Sequence, residues 1–120
     1  MKTILLADDE ANLRILVRTT LDDPEYYILE ATDGATTIEL ARQAQPDLLV
    51  LDWMMPGING IEVAQALHQD AATAHIPIIM LTAKGRETDK ARGHSVGANA
   101  YLVKPFSPLE LLRKVQEVLG

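Results

Sequence analysis

The chain has 120 residues, 48% of them apolar, a formal net charge of -6 and no cysteine. The length suits one domain with its own core, expected over 1–120, and the apolar share excludes a disordered segment. Lack of cysteine excludes disulfides, zinc–thiolate sites and thiol nucleophiles, and the net acidity argues against a nucleic-acid surface.

The first apolar run is too short for a signal segment and stops at Asp8. No stretch is long enough to cross a bilayer. A cytoplasmic location without membrane contact is expected.

Residues 3–7 form a continuous apolar run, like a strand buried on both faces. Leu13, Leu16, Val17, Thr20 and Leu21 then recur at helical spacing. A second strand is expected over 26–31, with a turn at Asp33-Gly34. Ala35, Ile38, Ala41 and Ala44 make a small-residue helical face. Residues 47–51 are the third and most apolar strand.

After a loop over 53–58, Asn59 reads as an N-cap with Glu62 in capping-box register. Ile61, Ala64 and Leu67 continue that helix. A fourth strand is expected over 76–81, a polar helix over 87–95 and a short fifth strand over 101–103. Ser107, Pro108 and Glu110 start a last helix, which buries Leu111, Leu112, Val115, Val118 and Leu119.

Five strands alternating with five helices imply an α/β fold, a doubly wound parallel sheet covered on both faces. The expected strand order is 2-1-3-4-5, by analogy with known flavodoxin-like sheets. In such sheets function gathers at the carboxyl ends of the strands, near the point where strand order reverses.

Strand one ends in Asp8-Asp9-Glu10, strand three at Asp52, strand four at Thr82-Ala83 and strand five at Lys104-Pro105. Asp8, Asp9 and Asp52 are expected to share a pocket. Two unit charges ~4 Å apart repel by roughly 4 kcal/mol at an effective dielectric of ~20. A hard divalent cation offsets that, and Mg²⁺ needs only one or two carboxylates beside its waters. The expected site is a Mg²⁺ site with an open face for a phosphoryl oxygen. Asp52, on the central strand, is the expected nucleophile, since carboxylates form acyl phosphates. Lys104 can neutralise a second phosphoryl oxygen and Thr82 can donate to a third.

Singly, each residue has a plainer reading. Asp8 and Asp9 could cap a helix, Asp52 and Thr82 could cap turns, and Lys104 could be a solvated charge. Those readings do not require convergence on four strand ends. His68, His75 and His94 lack metal-ligand spacing and read as surface residues. Trp53 reads as a partly covered loop aromatic, and Met54 and Met55 as gap-fillers.

The runs Ile4-Leu5-Leu6-Ala7-Asp8-Asp9-Glu10, Leu51-Asp52-Trp53-Met54-Met55-Pro56-Gly57, Leu81-Thr82-Ala83 and Lys104-Pro105-Phe106 resemble the motifs of two-component response regulator receiver domains. The resemblance spans the whole chain. It implies phosphorylation of Asp52 and Mg²⁺ binding by Asp8, Asp9, Asp52 and the Met54 carbonyl. It implies phosphoryl contacts from Thr82 and Lys104, and a cis Lys104–Pro105 bond. From its residue type alone Tyr101 is a half-buried strand aromatic; the resemblance implies a rotamer switch coupled to Thr82. The switched surface would comprise the polar helix over 87–95, strand five and the last helix.

The function so implied is a signalling switch, not a true enzyme, with weak self-phosphorylation and self-dephosphorylation. A sensor histidine kinase or histidine phosphotransfer protein would donate the phosphoryl group. A dehalogenase-like phosphatase would need a second acid at position 54, which is Met54. A flavodoxin-like cofactor carrier would need a Gly/Ser/Thr-rich phosphate loop where this chain has Asp-Asp-Glu. No P-loop motif occurs.

The stretch 81–93 resembles receivers that carry a winged-helix DNA-binding domain. Those relatives place acids before the strand-five tyrosine, where this chain has Asn99 and Ala100. A monomer or weak phosphorylation-dependent dimer is therefore expected. The chain stops at Gly120, and a stand-alone or excised receiver is the expectation, its output a downstream effector protein.

Overall fold

The computed structural model describes residues 1–83 and 97–120. Five strands form one parallel sheet in the order β2-β1-β3-β4-β5. They are β1 (Lys2–Ala7), β2 (Tyr26–Ala31), β3 (Leu48–Asp52), β4 (Ile78–Ala83) and β5 (Ala100–Lys104). Four helices lie among the described residues: α1 (Ala11–Thr20), α2 (Gly34–Ala44), α3 (Gly60–Gln69) and α4 (Pro108–Leu119). The polar helix expected over 87–95 falls outside the described residues, as does His94.

Parallel pairing explains the unbroken apolar runs. Side chains alternate between faces along a strand, so a sheet covered on both faces needs apolar residues at every position. Ile4, Leu6, Leu48, Val50, Ile79 and Leu81 pack on one face with Val17 and Leu21 of the α1 region and Leu111 and Val115 of α4. Leu5, Ala7, Leu49, Leu51, Ile78 and Met80 pack on the other with Ala41 of α2 and Ile61, Val63, Ala64 and Leu67 of α3. Each fully buried Leu, Ile, Val or Met among them stabilises the fold by roughly 1.5–3 kcal/mol.

Local signals set the helix starts. Asn59 accepts from the Glu62 amide at 3.0 Å, and the Glu62 carboxylate accepts from the Asn59 amide at 3.2 Å. Ser107 and Glu110 make the same reciprocal pair, with Pro108 at the first helical turn. Asp33 accepts from the Thr36 amide at 2.8 Å and starts α2. The buried face of α2 is Gly34, Thr37 and Ala41, whereas Ala35 is exposed. The expected small-residue face is thus rotated, because Gly34 presses against Ile58 and Val63.

Candidate functional site

Three strand ends bring the acids and their counter-charge together. Asp8 follows β1 directly and is fully buried; Asp52 is the last residue of β3 and is nearly so, while Asp9 is exposed. β1 and β3 are neighbours at the reversal point of the sheet. One carboxylate oxygen from each of Asp8, Asp9 and Asp52 lies within 4.8 Å of the others.

Lys104 ends β5 and reaches across β4 to the acids. Its Nζ lies 3.1 Å from Asp52 Oδ1 and 3.2 Å from Asp8 Oδ2. The Lys104–Pro105 bond is cis. Asp8 Oδ1 accepts from the Glu10 amide at 2.8 Å, and the Met54 amide reaches Asp52 Oδ1 at 3.4 Å. Neither Asp8 nor Asp9 caps α1: its N-cap residue is Glu10, and no side chain caps the helix.

Burial and crowding set the charges. Desolvation, then the Asp8 charge, push the Asp52 carboxyl up to about 6, with Lys104 acting in opposition. Desolvation also raises Asp8, against the Glu10 amide and Lys104. Burial works against the Lys104 charge, but Asp52 and Asp8 outweigh it and its ammonium is held above its ordinary range. Three carboxylates against one ammonium leave two negative charges in excess. One divalent cation would neutralise that excess, and oxygen donors suit a hard ion.

Thr82 is buried on β4, and its Oγ1 has no hydrogen-bond partner among the described residues. A buried hydroxyl without a partner is costly, and the Thr82 O–H is left able to donate. Tyr101 is half-buried, pairs in register with Met80 and packs on the same core face. Thr82, two residues beyond Met80, shares that face by strand periodicity. Met54 is exposed beside Asp52. An apolar cleft of about 320 Å³, lined by Leu13, Leu16, Lys104 and Phe106 among others, opens on the α1 side.

Asp8, Asp9, Asp52 and Lys104 therefore meet at the carboxyl edge of the sheet, with Thr82 near the end of β4, whereas Tyr101 lies three residues earlier on β5 than Lys104, beside Met80. His68 and His75 are exposed, as expected. Trp53 is not the half-covered loop aromatic expected from sequence; it is buried with 4% exposure in the core beneath the site. Gly60 explains this. A Cβ there would meet the Asp52 carbonyl oxygen and lie 2.9 Å from the Trp53 Cα, so only glycine lets α3 close this tightly on the end of β3.

The family model of the response regulator receiver domain matches residues 4–116. The chain belongs to the response regulator receiver family. This receiver domain is 48% identical over 118 residues to the phosphate regulon transcriptional regulatory protein PhoB of Pseudomonas aeruginosa, covering 98% of this chain and 52% of that protein. It is 46% identical over 116 residues to the transcriptional regulatory protein ResD of Bacillus subtilis, covering 97% and 47%. The chain spans about half the length of the curated relatives it matches. Among solved structures it resembles the chemotaxis response regulator CheY4 of Vibrio cholerae, with a TM-score of 0.92, 36% identity and 99% of each chain covered. It also resembles the receiver domain of sensor histidine kinase PA1611 from Pseudomonas aeruginosa, whose structure has a magnesium ion coordinated in the active site cleft. That match has a TM-score of 0.90 and 27% identity, and covers 99% of this chain and 98% of that one. As a receiver domain the chain is a signalling switch.

Proposed function

We propose that the Asp52 carboxylate of this receiver, taken as one unit over 1–120, accepts a phosphoryl group from a phosphohistidine. The observation that carries this reading is the placement of Lys104 Nζ against both Asp52 and Asp8, within a cluster that includes Asp9. Asp52 Oδ attacks phosphorus, the new P–O bond forms and the P–N bond breaks. The bonding pair leaves with the imidazole nitrogen, which then holds a proton. Water later attacks the acyl phosphate, releases inorganic phosphate and restores the carboxylate.

Asp8, Asp9, Asp52 and the backbone carbonyl of Met54 would hold Mg²⁺. When bound, the ion supplies charge neutralisation for a phosphoryl oxygen. Lys104 neutralises a second oxygen, and the partnerless Thr82 hydroxyl donates to a third. Drawing Thr82 to the phosphoryl group frees space on the face it shares with Tyr101, which moves inward. That local event biases a two-state surface at β5 and α4, together with the segment 87–95 expected from sequence to be a polar helix.

The donor in this reading is a sensor histidine kinase or a histidine phosphotransfer protein. Small phosphoryl donors serve slowly, and self-dephosphorylation returns the resting state. The effector is a protein bound by the switched surface. The location is cytoplasmic, supported by the reducing-compartment composition and, among the described residues, by the absence of a helix long and apolar enough to cross a membrane.

The test is intact-protein mass spectrometry after incubation with phosphoramidate and Mg²⁺. One added phosphoryl group is expected for the wild type and none for Asp52→Asn. Equal labelling of that variant would refute the assignment.

A further inference from the structure

Arg14 stands on α1, outside the acidic cluster, yet touches its backbone. Its Nη1 donates to the carbonyl oxygen of Asp8 at 3.0 Å. Its Nε lies 3.2 Å from Glu30 Oε1, and Arg18, one turn on, places Nη1 3.1 Å from Glu30 Oε2. Glu30 sits on β2, paired in register with Leu6 of β1. The guanidinium therefore bridges two neighbouring strands at the corner where β1 ends.

The carbonyl it holds belongs to the peptide that joins Asp8 to Asp9. The other anchors of this corner are the Asp8 amide, which donates to the Ala31 carbonyl at 3.1 Å, and Asp8 Oδ1 on the Glu10 amide. With the Asp8 amide tied to β2 and the carbonyl tied to Arg14, the backbone on both sides of the Asp8 Cα is fixed. The directions of the Asp8 side chain and of the following Asp9 depend on that frame.

We propose that Arg14 is a positioning residue for the cation-binding corner: its fork, anchored on Glu30, fixes the Asp8–Asp9 peptide and so the alignment of the two carboxylates. The inference rests on the reading of the acidic cluster as a Mg²⁺ site. Two parallel uses of one planar group explain arginine here, since a lysine ammonium cannot reproduce the fork. As a partly exposed ion pair alone, Arg14 with Glu30 would contribute modestly.

The sign of one measurement separates positioning from simple charge. Arg14 is a cation near a cation site, so by Coulomb's law alone its removal would tighten Mg²⁺ binding. Loss of alignment weakens it, and partners of this outer kind are worth about tenfold or more in metal affinity. Trp53, the one tryptophan, adjoins Asp52, and its fluorescence is the signal to follow in the titration.

Mg²⁺ titrations of the full chain are expected to show affinity about tenfold weaker in Arg14→Met. Arg18→Met, which loses a Glu30 contact but none to Asp8, is expected to stay within about twofold of the wild type. In metal-free protein, amide hydrogen exchange at Asp9 and Glu10 is expected to rise in Arg14→Met and not in Arg18→Met. Should Arg14→Met fail to fold, Arg14→Lys carries the test with the charge retained: weakened Mg²⁺ binding supports the fork, and wild-type affinity overturns it. Unchanged or tighter binding in a folded Arg14→Met overturns the inference alone. A wild-type protein that does not bind Mg²⁺ overturns the reading of the site, and the inference with it.

Discussion

Lys104 Nζ sits 3.1 Å from Asp52 Oδ1, so the end of β5 supplies the counter-charge for the end of β3 across the intervening strand. The same ammonium serves Asp8 at 3.2 Å. One cation thus holds two buried carboxylates that repel each other.

Removing that cation separates two roles. Lys104→Met is expected to bind Mg²⁺ at least as tightly as the wild type, because a competing positive charge is gone. Phosphorylation by phosphoramidate is expected to slow on the order of 100-fold, the usual scale for losing one charge-stabilising group. Rates from intact mass over time, set beside Mg²⁺ titrations, check this; a variant phosphorylated at the wild-type rate would remove Lys104 from the chemistry.

The buried Asp52 makes metal-free stability depend on pH. Its carboxyl is raised from 3.8 to about 6, so the native state holds this proton more tightly than the unfolded chain. The stability it contributes is full below 3.8 and is lost as pH rises through about 6. Asp8 shifts in the same direction, whereas Lys104, raised from 10.5, contributes a constant amount across this window. Two pKa units correspond to on the order of 3 kcal/mol, of which about 2 falls between about pH 4.5 and pH 7.5. Urea denaturation in a chelator is expected to show Asp52→Asn gaining about that much on the wild type over the interval. A gap that does not change with pH would contradict the raised carboxyl.

The close approach at Gly60 sets a steric condition on the site. Alanine has the higher helix propensity, by about 1 kcal/mol. Against that, its Cβ would collide with the Asp52 carbonyl and crowd the Trp53 Cα. Crowding of this kind costs roughly 1–3 kcal/mol and wins. Gly60→Ala is expected to be less stable in urea denaturation and to shift the Trp53 emission; a stabilised variant would show that the end of β3 moves freely.

Leu49 lies in the middle of β3 with no exposed surface, in the core shared with α2 and α3. Leu49→Ala is expected to lower unfolding stability by about 3 kcal/mol through lost burial and the cavity left behind. The urea midpoint falls with the slope unchanged if the fold is retained.

Much of the fold is legible in the chain. The strands announce themselves as apolar runs because both sheet faces are covered, and both capping boxes stand at their expected places. Asp8, Asp9, Asp52, Thr82 and Lys104 can be named from sequence because each closes or follows a strand. Boundaries are less legible. β4 is expected over 76–81 and runs Ile78–Ala83. The ladder starts after Pro77, which has no N–H to give, and Thr82 stays in it by pairing with Val103. The burial of Trp53 depends on Gly60, seven residues away, and spacing alone does not reveal that closure. The Arg14–Glu30 bridge requires the β1–β2 register, which no local pattern encodes. Asn99 has a local use as well: its Oδ1 accepts from the Ile78 amide at 2.9 Å, and Lys114 pairs with Glu117 on its own helix at 3.7 Å.

Which side chain carries the phosphoryl group is the decisive point. Borohydride reduction of the phosphorylated protein converts an acyl phosphate to an alcohol at the residue that carried it, and peptide mapping then finds that residue. The expected result is conversion at position 52, dependent on Mg²⁺ and on prior phosphorylation. Conversion at position 8 or 9, or none in a protein shown to carry phosphate, would contradict it.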